Sequence, residues 1–425
     1  MVLTRILPPV LPAPPSWFPG HMMKFTRMLP ALLTRTDVVL ELRDSRLPLT
    51  SINRTLEGAL RKWRTERGYD PRDPKRRLFD AGACEHLVVF NKRDLVPEWG
   101  MEPFRKAMAR KFPSQEVIFA SWHKPRDIRD LSDRLVSMYL LHPSYIAKEH
   151  PYATELNVLV IGMPNVGKST LLNALRNMGI KGRTPKAFQT SAQPGLTQAL
   201  STRLKLSVDP LVYAFDSPGV MVPFLGQGEK GAERGVKLAL IAGIKEGMYD
   251  MEALASYLLY RLNVLNPISP AYLTLLPDGS SPTNELEEFL SALAKRMGMI
   301  KRGAELDLPR AASYFVKWWR DEGGLLAASS APQLTTSAHL SQLDGHSATQ
   351  GWGFDFEWQV TPEDLNNRVG DAPEFIQRKM EDCIDNFVVE CEQEEREERN
   401  ISSTQRKKQL SMEEKAKRKL KHMKR

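Results

Sequence analysis

A phosphate-binding motif lies near the middle of the 425-residue chain. Residues 162–169, Gly-Met-Pro-Asn-Val-Gly-Lys-Ser, match the pattern GxxxxGK[S/T] between an apolar run and an amphipathic segment. Such a loop surrounds phosphates with backbone N–H groups, while its lysine reaches the β- and γ-phosphates and its hydroxyl binds Mg²⁺. The sequence therefore predicts a nucleotide site that includes Asn165, Val166, Gly167, Lys168, Ser169 and Thr170.

A second motif selects the base. Residues 91–94 are Asn-Lys-Arg-Asp and follow a β-branched run typical of a strand. An ionised Asp94 accepts two hydrogen bonds, which match the N1–H and N2–H₂ donors of guanine and have no equivalent pair in adenine. Asn91 is expected to tie the loop to neighbouring backbone, and the stem of Lys92 to cover the base. Taken alone, the tetrapeptide could also be a charged turn.

Three further segments complete the set expected of a GTP site. An Asp-Ser-Pro-Gly sequence fits DxxG, in which Asp216 holds Mg²⁺ through water and the Gly219 amide meets the γ-phosphate. Thr197 lies in the stretch where a switch threonine binds Mg²⁺, and Ala120-Ser121 fits the loop that closes over the guanine oxygen. Each could be a simple turn by itself. Together with the first two motifs they predict GTP binding.

The order of the motifs differs from that of an ordinary G domain. Here the base motif precedes the phosphate loop, so the domain is expected to be circularly permuted. Such a permutation is tolerated because the chain termini can be moved to surface loops without disturbing the core. The β-branched runs end in motif-bearing turns, the pattern of an α/β sheet with ligand loops at the strand C-termini. The predicted fold is thus a circularly permuted P-loop GTPase domain of the α/β class, followed by a smaller all-α domain and a partly disordered C-terminal extension.

Composition and periodicity divide the chain into six expected segments. These are an N-terminal arm or weak import signal at 1–14, the permuted G domain at 15–228, a helical domain assigned to RNA binding at 229–323, a linker at 324–350, a small helical appendage at 351–390, and a charged basic tail at 391–425. Within the helical domain, Trp318 and Trp319 could stack on RNA bases or divide between core and surface.

The net charge of +9 is concentrated in the tail. Residues 401–425 hold ten Lys or Arg and two Glu, which suits contact with rRNA phosphates or a merely solvated tail. The first 36 residues contain no Asp or Glu, as an organellar import signal or an ordinary proline-rich arm would. Three scattered cysteines are too few for a disulfide framework, and no apolar run is long enough to cross a membrane.

With these motifs in this order, the chain resembles the circularly permuted ribosome-assembly GTPases. The nearest branch contains the bacterial large-subunit assembly GTPase and its mitochondrial relative, the mitochondrial ribosome-associated GTPase 1. Further matching segments are Trp-Phe-Pro-Gly-His-Met at 17–22, Arg-Asp-Ser-Arg-Leu-Pro at 43–48, Pro-Gly-Leu-Thr at 194–197 and the helical stretch 237–245.

The resemblance implies a GTPase that binds the mitochondrial large ribosomal subunit and couples GTP hydrolysis to late assembly or to translation competence. The alternative is a GTP-dependent ribosome- or RNA-binding scaffold in which hydrolysis is incidental. Implied partners are GTP or GDP and the large subunit with its rRNA, with the inner-membrane surface as a further candidate and no DNA. A monomer in the mitochondrial matrix, or peripheral to the inner membrane, is expected.

The resemblance also implies where catalysis arises. Val220 occupies the position of the glutamine that orients water in Ras-like proteins, so the catalytic group must come from elsewhere. His21 is the family's candidate, the alternative being an inert loop histidine. Asn165 matches an asparagine that binds K⁺ beside the phosphates in related GTPases, although it could be a plain loop residue. The implied cofactors are Mg²⁺ and K⁺, with Lys168 as a second catalytic residue.

Overall fold

The G-domain sheet is described by a computed structural model. Among its described residues, six strands form one sheet in the order β3-β2-β1-β4-β6-β5, parallel except for β5. The strands are β1 (Val38–Asp44), β2 (Glu85–Asn91), β3 (Glu116–Phe119), β4 (Leu156–Gly162), β5 (Leu204–Ser207) and β6 (Val212–Asp216). The structure describes residues 6–15, 20–73, 76–79, 84–113, 115–140, 155–182, 203–221, 225–245, 247–330, 348–360, 372–396 and 411.

The pairing of β1 with β4 joins the two halves of the permuted domain. Strands β1–β3 carry the base motifs and β4–β6 carry the phosphate motifs, and Val38 to Leu42 of β1 pair in parallel with Val158 to Gly162 of β4. Every residue of β1 is buried, as expected of a central strand covered on both faces. The predicted α/β fold class and the circular permutation are confirmed.

Helices cover both faces of this sheet. They are α1 (Gly20–Leu33), α2 (Arg54–Glu66), α3 (Met101–Lys111), α4 (Pro125–Leu140) and α5 (Lys168–Gly179). On one face, Phe25 and Leu29 of α1 join Leu60 of α2 in an apolar cluster with Leu159 and Ile161 of β4. The spacing of three or four residues between apolar positions explains why these segments are helical and which side they bury.

The region after β6 is helical. Its helices are α6 (Gly228–Leu240), α7 (Met251–Leu265), α8 (Leu286–Arg296), α9 (Leu308–Trp318) and α10 (Gly324–Ser330). The last of these lies inside the segment 324–350 that we expected to be a linker. Trp318 and Trp319 are 8% and 3% exposed, so both belong to the core. The hypothesis that they stack on RNA bases is therefore wrong, because neither ring is accessible.

Residues 351–390 are not the purely helical appendage that their aromatic content suggested. The structure has an antiparallel hairpin, β7 (Ala348–Trp352) and β8 (Phe356–Val360), followed by helix α11 (Ala372–Arg396). Phe356, Trp358 and Val360 alternate inward along β8, which is the period of a strand rather than a helix. We call residues 348–360 and 372–396 the C-terminal module. Helix α11 extends into the expected tail, and the remaining tail positions, 397–410 and 412–425, lie outside the described residues.

The C-terminal module packs against the G domain. Trp352 is fully buried, stacks on Phe104 of α3 with 5.3 Å between ring centroids, and donates from Nε1 to the Pro97 carbonyl at 2.8 Å. A Cβ at Gly100 would lie 2.3 Å from the Trp352 ring, so this close approach requires glycine. These contacts make the hairpin part of one core with β2 and α3.

Ion pairs hold α11 from its middle to its C-terminal end. On the α3 side, Arg110 contacts Glu381 at 3.1 Å. On the α6 side, Arg234 contacts Glu394 at 2.8 Å, and Lys230 contacts Glu390 at 2.5 Å. The helix thus spans from the base-recognition half of the G domain to the first helix after DxxG. None of the described helices combines the length and hydropathy that a membrane span requires.

Candidate nucleotide-binding site

The predicted motifs meet at the carboxyl edge of the parallel strands. Four of these strands end on a motif residue: Asp44 on β1, Asn91 on β2, Gly162 on β4 and Asp216 on β6. Because adjacent parallel strands end at the same edge, residues far apart in the chain become neighbours there. Thr197 lies outside the described residues, so its place relative to this edge stays a prediction.

The phosphate loop has the backbone conformation that its glycines allow. Gly167 has φ +94°, and a Cβ there would lie 2.8 Å from Nδ2 of Asn91. Directly after it, α5 begins at Lys168, so the first N–H groups of the helix point into the loop. Thr170 lies in the first turn of the helix and is exposed. The loop and the helix N-terminus together offer backbone donors to an anion.

Lys168 turns back into the loop. Its Nζ donates to the carbonyls of Gly162 at 3.2 Å and Met163 at 2.8 Å. Burial lowers the pKa of Lys168 to about 8, an effect that the nearby Asp216 carboxylate opposes. A triphosphate would supply the negative charge that this buried ammonium lacks, which is the physical basis for assigning Lys168 to the phosphates.

A pair of oxygen donors suits Mg²⁺. Ser169 Oγ donates to Asp216 Oδ2 at 2.8 Å, across the gap between the phosphate loop and DxxG. Burial raises the pKa of Asp216, against the influence of Lys168. A hard divalent cation prefers hydroxyl and carboxylate oxygens, so these two residues fit the ion expected of a GTPase.

Asn91 and Asp94 have different roles in the base motif, one structural and one in binding. Asn91 Nδ2 donates to the Val166 carbonyl at 2.7 Å, which ties residues 91–94, here called the base loop, to the phosphate loop. Asp94 Oδ1 is buried and has no hydrogen-bond partner among the described residues. A buried carboxylate oxygen without a donor is costly, and guanine N1–H and N2–H₂ would supply one.

The Ala120-Ser121 loop is attached to the base loop. Arg93 N donates to the Ala120 carbonyl at 3.1 Å. Asp127, in the first turn of α4, accepts from Ser121 N at 2.8 Å and from the Arg93 guanidinium at 2.7 and 2.9 Å. Nothing in the sequence marks Asp127 as part of the site, since an acidic residue in the first turn of a helix is common and gives no sign of a distant partner.

A buried charge cluster lies beside Lys92. Lys92 Nζ donates to Asp44 Oδ2 at 2.9 Å, and Arg46 grips the same carboxylate through Nε at 2.9 Å and Nη2 at 2.8 Å. Burial alone would raise the pKa of Asp44, but Arg46 and Lys92 hold it well below its ordinary value. Asp44 was not assigned a role from sequence. The sequence feature that could have indicated a role for Asp44 is its position, because it is an acidic residue at the end of an apolar strand that leads to the site.

The DxxG segment presses on the phosphate loop. A Cβ at Gly219 would lie 2.6 Å from the Pro164 Cα, so only glycine fits, and Val220 N donates to the Gly162 carbonyl at 3.1 Å. Val220 and Met221 are each 2% exposed. Being apolar and buried, neither can orient an attacking water.

His21 lies in the first turn of α1 and not in a loop. Its Nε2 is buried without a hydrogen-bond partner among the described residues, and burial lowers the pKa of the imidazole. Phe25, one turn further along α1, belongs to the same apolar cluster as Val220. A neutral imidazole can accept a proton from water.

Replacing His21 with Ala should lower kcat by about one to two orders of magnitude, the low end of general acid–base contributions. The Kd for GTP should change less than about twofold, because the residue acts in the transition state. Single-turnover hydrolysis and equilibrium titration measure the two quantities. Met28→Ala, on the exposed side of the same helix, is the control. Lost affinity with intact hydrolysis would make His21 structural.

Asn165 connects the phosphate loop to the helical domain. Its backbone is left-handed, with φ 59°, and its Nδ2 donates to the Ala242 carbonyl at 2.5 Å. Ala242 follows α6 and is also left-handed, with φ 57°. Arg320 donates to the neighbouring carbonyls of Ala239 and Leu240, both at 2.8 Å, which fixes this helix end.

The fold and the site define a circularly permuted P-loop GTPase. Residues 157–265 match the family model described as 50S ribosome-binding GTPase. The chain is 30% identical over 317 residues to the Mitochondrial GTPase 1 of Schizosaccharomyces japonicus, covering 72% of this chain and 87% of that protein. It is 32% identical over 247 residues to the Mitochondrial ribosome-associated GTPase 1 of Xenopus tropicalis, covering 58% and 70%. The crystal structure of GNP-bound YlqF from T. maritima aligns at 18% identity with a TM-score of 0.39, covering 72% and 95%.

The chain belongs to the mitochondrial GTPase 1 family, whose members include the mitochondrial ribosome-associated GTPases 1. It is accordingly an enzyme that hydrolyses GTP.

Proposed function

We propose that this protein acts in mitochondria, where it binds the large ribosomal subunit and couples GTP hydrolysis to late subunit assembly or to translation competence. The names of its relatives support the organelle and the ribosome. The observation that carries the coupling is the bond from Asn165 Nδ2 to the Ala242 carbonyl, because it joins the phosphate loop to the helical domain. A change at the γ-phosphate can therefore alter how that domain is held.

The residues at the sheet edge would share the binding of GTP. Asp94 accepts from the guanine edge, with Asn91 and Lys92 shaping its loop, and Lys168 contacts the β- and γ-phosphates. Ser169 and Asp216, with Thr197, would hold Mg²⁺. When bound, Mg²⁺ neutralises charge on the phosphate oxygens. The Gly219 amide approaches the γ-phosphate because this glycine already lies against the phosphate loop.

Hydrolysis would depend on His21, which orients or deprotonates the attacking water. Potassium would supply the positive charge that an arginine finger provides in other GTPases. Asn165, which lies inside the phosphate loop, would hold K⁺ through its amide oxygen, because the oxygen is the acceptor atom of an amide side chain.

Hydrolysis by the isolated protein should be slow, and several-fold faster in KCl than in NaCl at equal ionic strength. The larger cation suits a site of carbonyl and phosphate oxygens, so replacing it should remove part of the transition-state stabilisation. Asn165→Ala should abolish the difference between the salts. Equal rates in the two salts for the wild-type protein would remove the cation from the mechanism.

The helical domain and the tail would contact rRNA. The tail from 401 to 425 carries ten basic residues, and phosphate contacts of this kind weaken steeply with salt. We propose a monomer in the matrix that reaches the ribosome, with the inner-membrane surface as a further contact and no DNA partner.

The test is nucleotide-dependent binding to purified mitochondrial large subunits. With a non-hydrolysable GTP analogue the protein should bind several-fold more tightly than with GDP, on the order of 1–3 kcal/mol of coupling. By linkage, large subunits must raise the preference for GTP over GDP by the same factor. Asn165→Ala should reduce the coupling, with Asn177→Ala on α5 as the control. Equal affinity in both nucleotide states would overturn the proposal.

A second candidate function is a GTP-dependent scaffold in which hydrolysis is incidental. The burial of Val220 and Met221 favours it, since the usual water-orienting side chain is absent from the described DxxG segment. Single-turnover hydrolysis with and without large subunits separates the two functions. A scaffold should show no stimulation, whereas a timed GTPase should be accelerated.

A further inference from the structure

The C-terminal module contains no nucleotide motif, yet it holds the loop that follows β1. We call residues 45–50 the β1 loop. Phe354 N donates to the Arg46 carbonyl at 2.7 Å. Asp355 Oδ2 accepts from the backbone N–H groups of Leu49 at 2.8 Å and Thr50 at 2.7 Å, and Oδ1 accepts from Thr50 Oγ1 at 2.6 Å. One carboxylate thus satisfies three donors of a loop that lies about three hundred positions earlier in the chain.

The hairpin turn is built for this contact. Gly353 has φ 58°, and a Cβ there would lie 3.0 Å from the Arg46 carbonyl oxygen, so the approach favours glycine. Arg261 of α7 is buried and donates from Nη2 to the carbonyls of Gly353 at 3.0 Å and Phe356 at 3.1 Å. The turn is therefore fixed from one side by the helical domain while it fixes the β1 loop on the other.

The Asp355 side chain is only 2% exposed. Its Oδ1 also pairs with Lys237 of α6 at 3.1 Å. A buried carboxylate is stable when charges and hydrogen bonds compensate it, and here all its named partners come from other parts of the chain. Losing the carboxylate would leave the Leu49 and Thr50 N–H groups without their acceptor.

From the β1 loop the contacts continue to the base loop. Arg46 holds the Asp44 carboxylate with two side-chain hydrogen bonds, and Asp44 in turn holds Lys92. The Arg46 guanidinium lies 5.2 Å from the Trp319 ring centroid, and Trp319 stacks on Phe354. The orientation of Arg46 is therefore set by the hairpin and the helical domain together.

We propose that Asp355 is a positioning residue for guanine recognition: by fixing the β1 loop it fixes Arg46, Asp44 and Lys92. The inference rests on the proposed assignment of Lys92 and Asp94 to the base. It gives the C-terminal module a role in nucleotide binding, and it predicts a defect in base affinity rather than in chemistry.

The test compares Asp355→Ala, Asp355→Asn and the control Gln359→Ala, on the exposed side of the same hairpin. Alanine removes the acceptor for the β1 loop. Asparagine keeps an amide oxygen that accepts from the Leu49 and Thr50 N–H groups but loses the charge opposite Lys237. Affinities for GDP, GTP and inosine diphosphate, which lacks the N2 amino group, are measured by fluorescence titration, and kcat at saturating GTP by phosphate release.

Asp355→Ala should weaken GDP and GTP equally, by roughly five- to tenfold, because the lost hydrogen bonds to a charged group act on the base only through Arg46, Asp44 and Lys92. The preference for GDP over inosine diphosphate should fall, and kcat should stay within about twofold of wild type. Asp355→Asn should retain most of the affinity, and Gln359→Ala all of it. A merely structural role would not change base preference while sparing kcat.

If Asp355→Ala fails to fold, Thr50→Val removes a single hydrogen bond to the same carboxylate and should weaken GDP about two- to threefold. Wild-type GDP affinity in a folded Asp355→Ala protein would overturn the proposal. Asp94→Asn is measured in parallel. If that variant also binds GDP normally, the guanine assignment has failed; if it alone is defective, only the role of Asp355 has failed.

Discussion

Replacing Asp94 with Asn should weaken GTP binding about 100-fold and create measurable affinity for xanthosine triphosphate. The carboxylate accepts from two guanine donors, and each hydrogen bond to a charged group contributes roughly 1.5–3 kcal/mol to the free energy of binding. An asparagine amide keeps one acceptor and gains a donor, which complements the additional carbonyl of xanthine. Asp94 Oδ1 is already buried without a partner among the described residues, so its environment is prepared for the base.

Competition of both triphosphates against a fluorescent nucleotide measures this exchange of specificity. Glu98→Gln, in the exposed turn just after residues 91–94, removes the same charge from outside the base motif and is the control. If Asp94→Asn bound GTP as tightly as the wild type, the guanine base would have to bind elsewhere. Residues 91–94 would then not be the base motif of a permuted G domain.

Replacing Trp352 with Ala should detach the C-terminal module locally. The ring is fully buried between Gly100 and Phe104, and its Nε1–H is bonded to the Pro97 carbonyl. Truncating a buried tryptophan costs about 3–5 kcal/mol through lost transfer free energy and the cavity left behind. Of the ion pairs that hold α11, Arg110–Glu381 and Lys230–Glu390 are too exposed to replace it, and Arg234–Glu394 is the more buried one.

Amide hydrogen exchange measures the effect, because local opening follows its own free energy. Exchange in α11 and α3 should accelerate by about two to three orders of magnitude, while α5 and β4 change little. Gln359→Ala should leave the exchange pattern as in the wild type. Equal protection of α11 in Trp352→Ala would mean that the module is held by its ion pairs.

The core of the G domain could be predicted from sequence because its motifs are local. The β-branched runs that lead into motifs are all strands, namely β1, β2, β3, β4 and β6. Two of these strands continue into the motif itself, since β1 ends at Asp44 and β6 ends at Asp216. Strand β5 was missed because Leu204–Ser207 is a four-residue edge strand, too short for its alternation of leucine with polar residues to be distinctive.

Contacts between distant segments could not be predicted in this way. The alternation of Phe356, Trp358 and Val360 does indicate a strand, and it was missed because aromatic content was taken as helical. No local pattern, however, connects Asp355 to Thr50, since their pairing depends on how two domains pack. The same holds for Trp319, whose burial follows from Phe354 and Arg46 rather than from its neighbours in the chain.

The return of α11 to α3 has a consequence for biosynthesis. Helix α3 ends at Lys111 and the helix that covers it ends at Arg396, so translation separates the two by nearly three hundred codons. At about 5–20 residues per second, the apolar face around Phe104 stays exposed for roughly 15–60 s until α11 has been synthesised. Once residue 219 has been made, a nascent chain contains every nucleotide motif but still exposes an aromatic surface. Such a surface is what holdase chaperones bind, so ribosomes stalled before residue 348 should carry this chain in a chaperone-bound form.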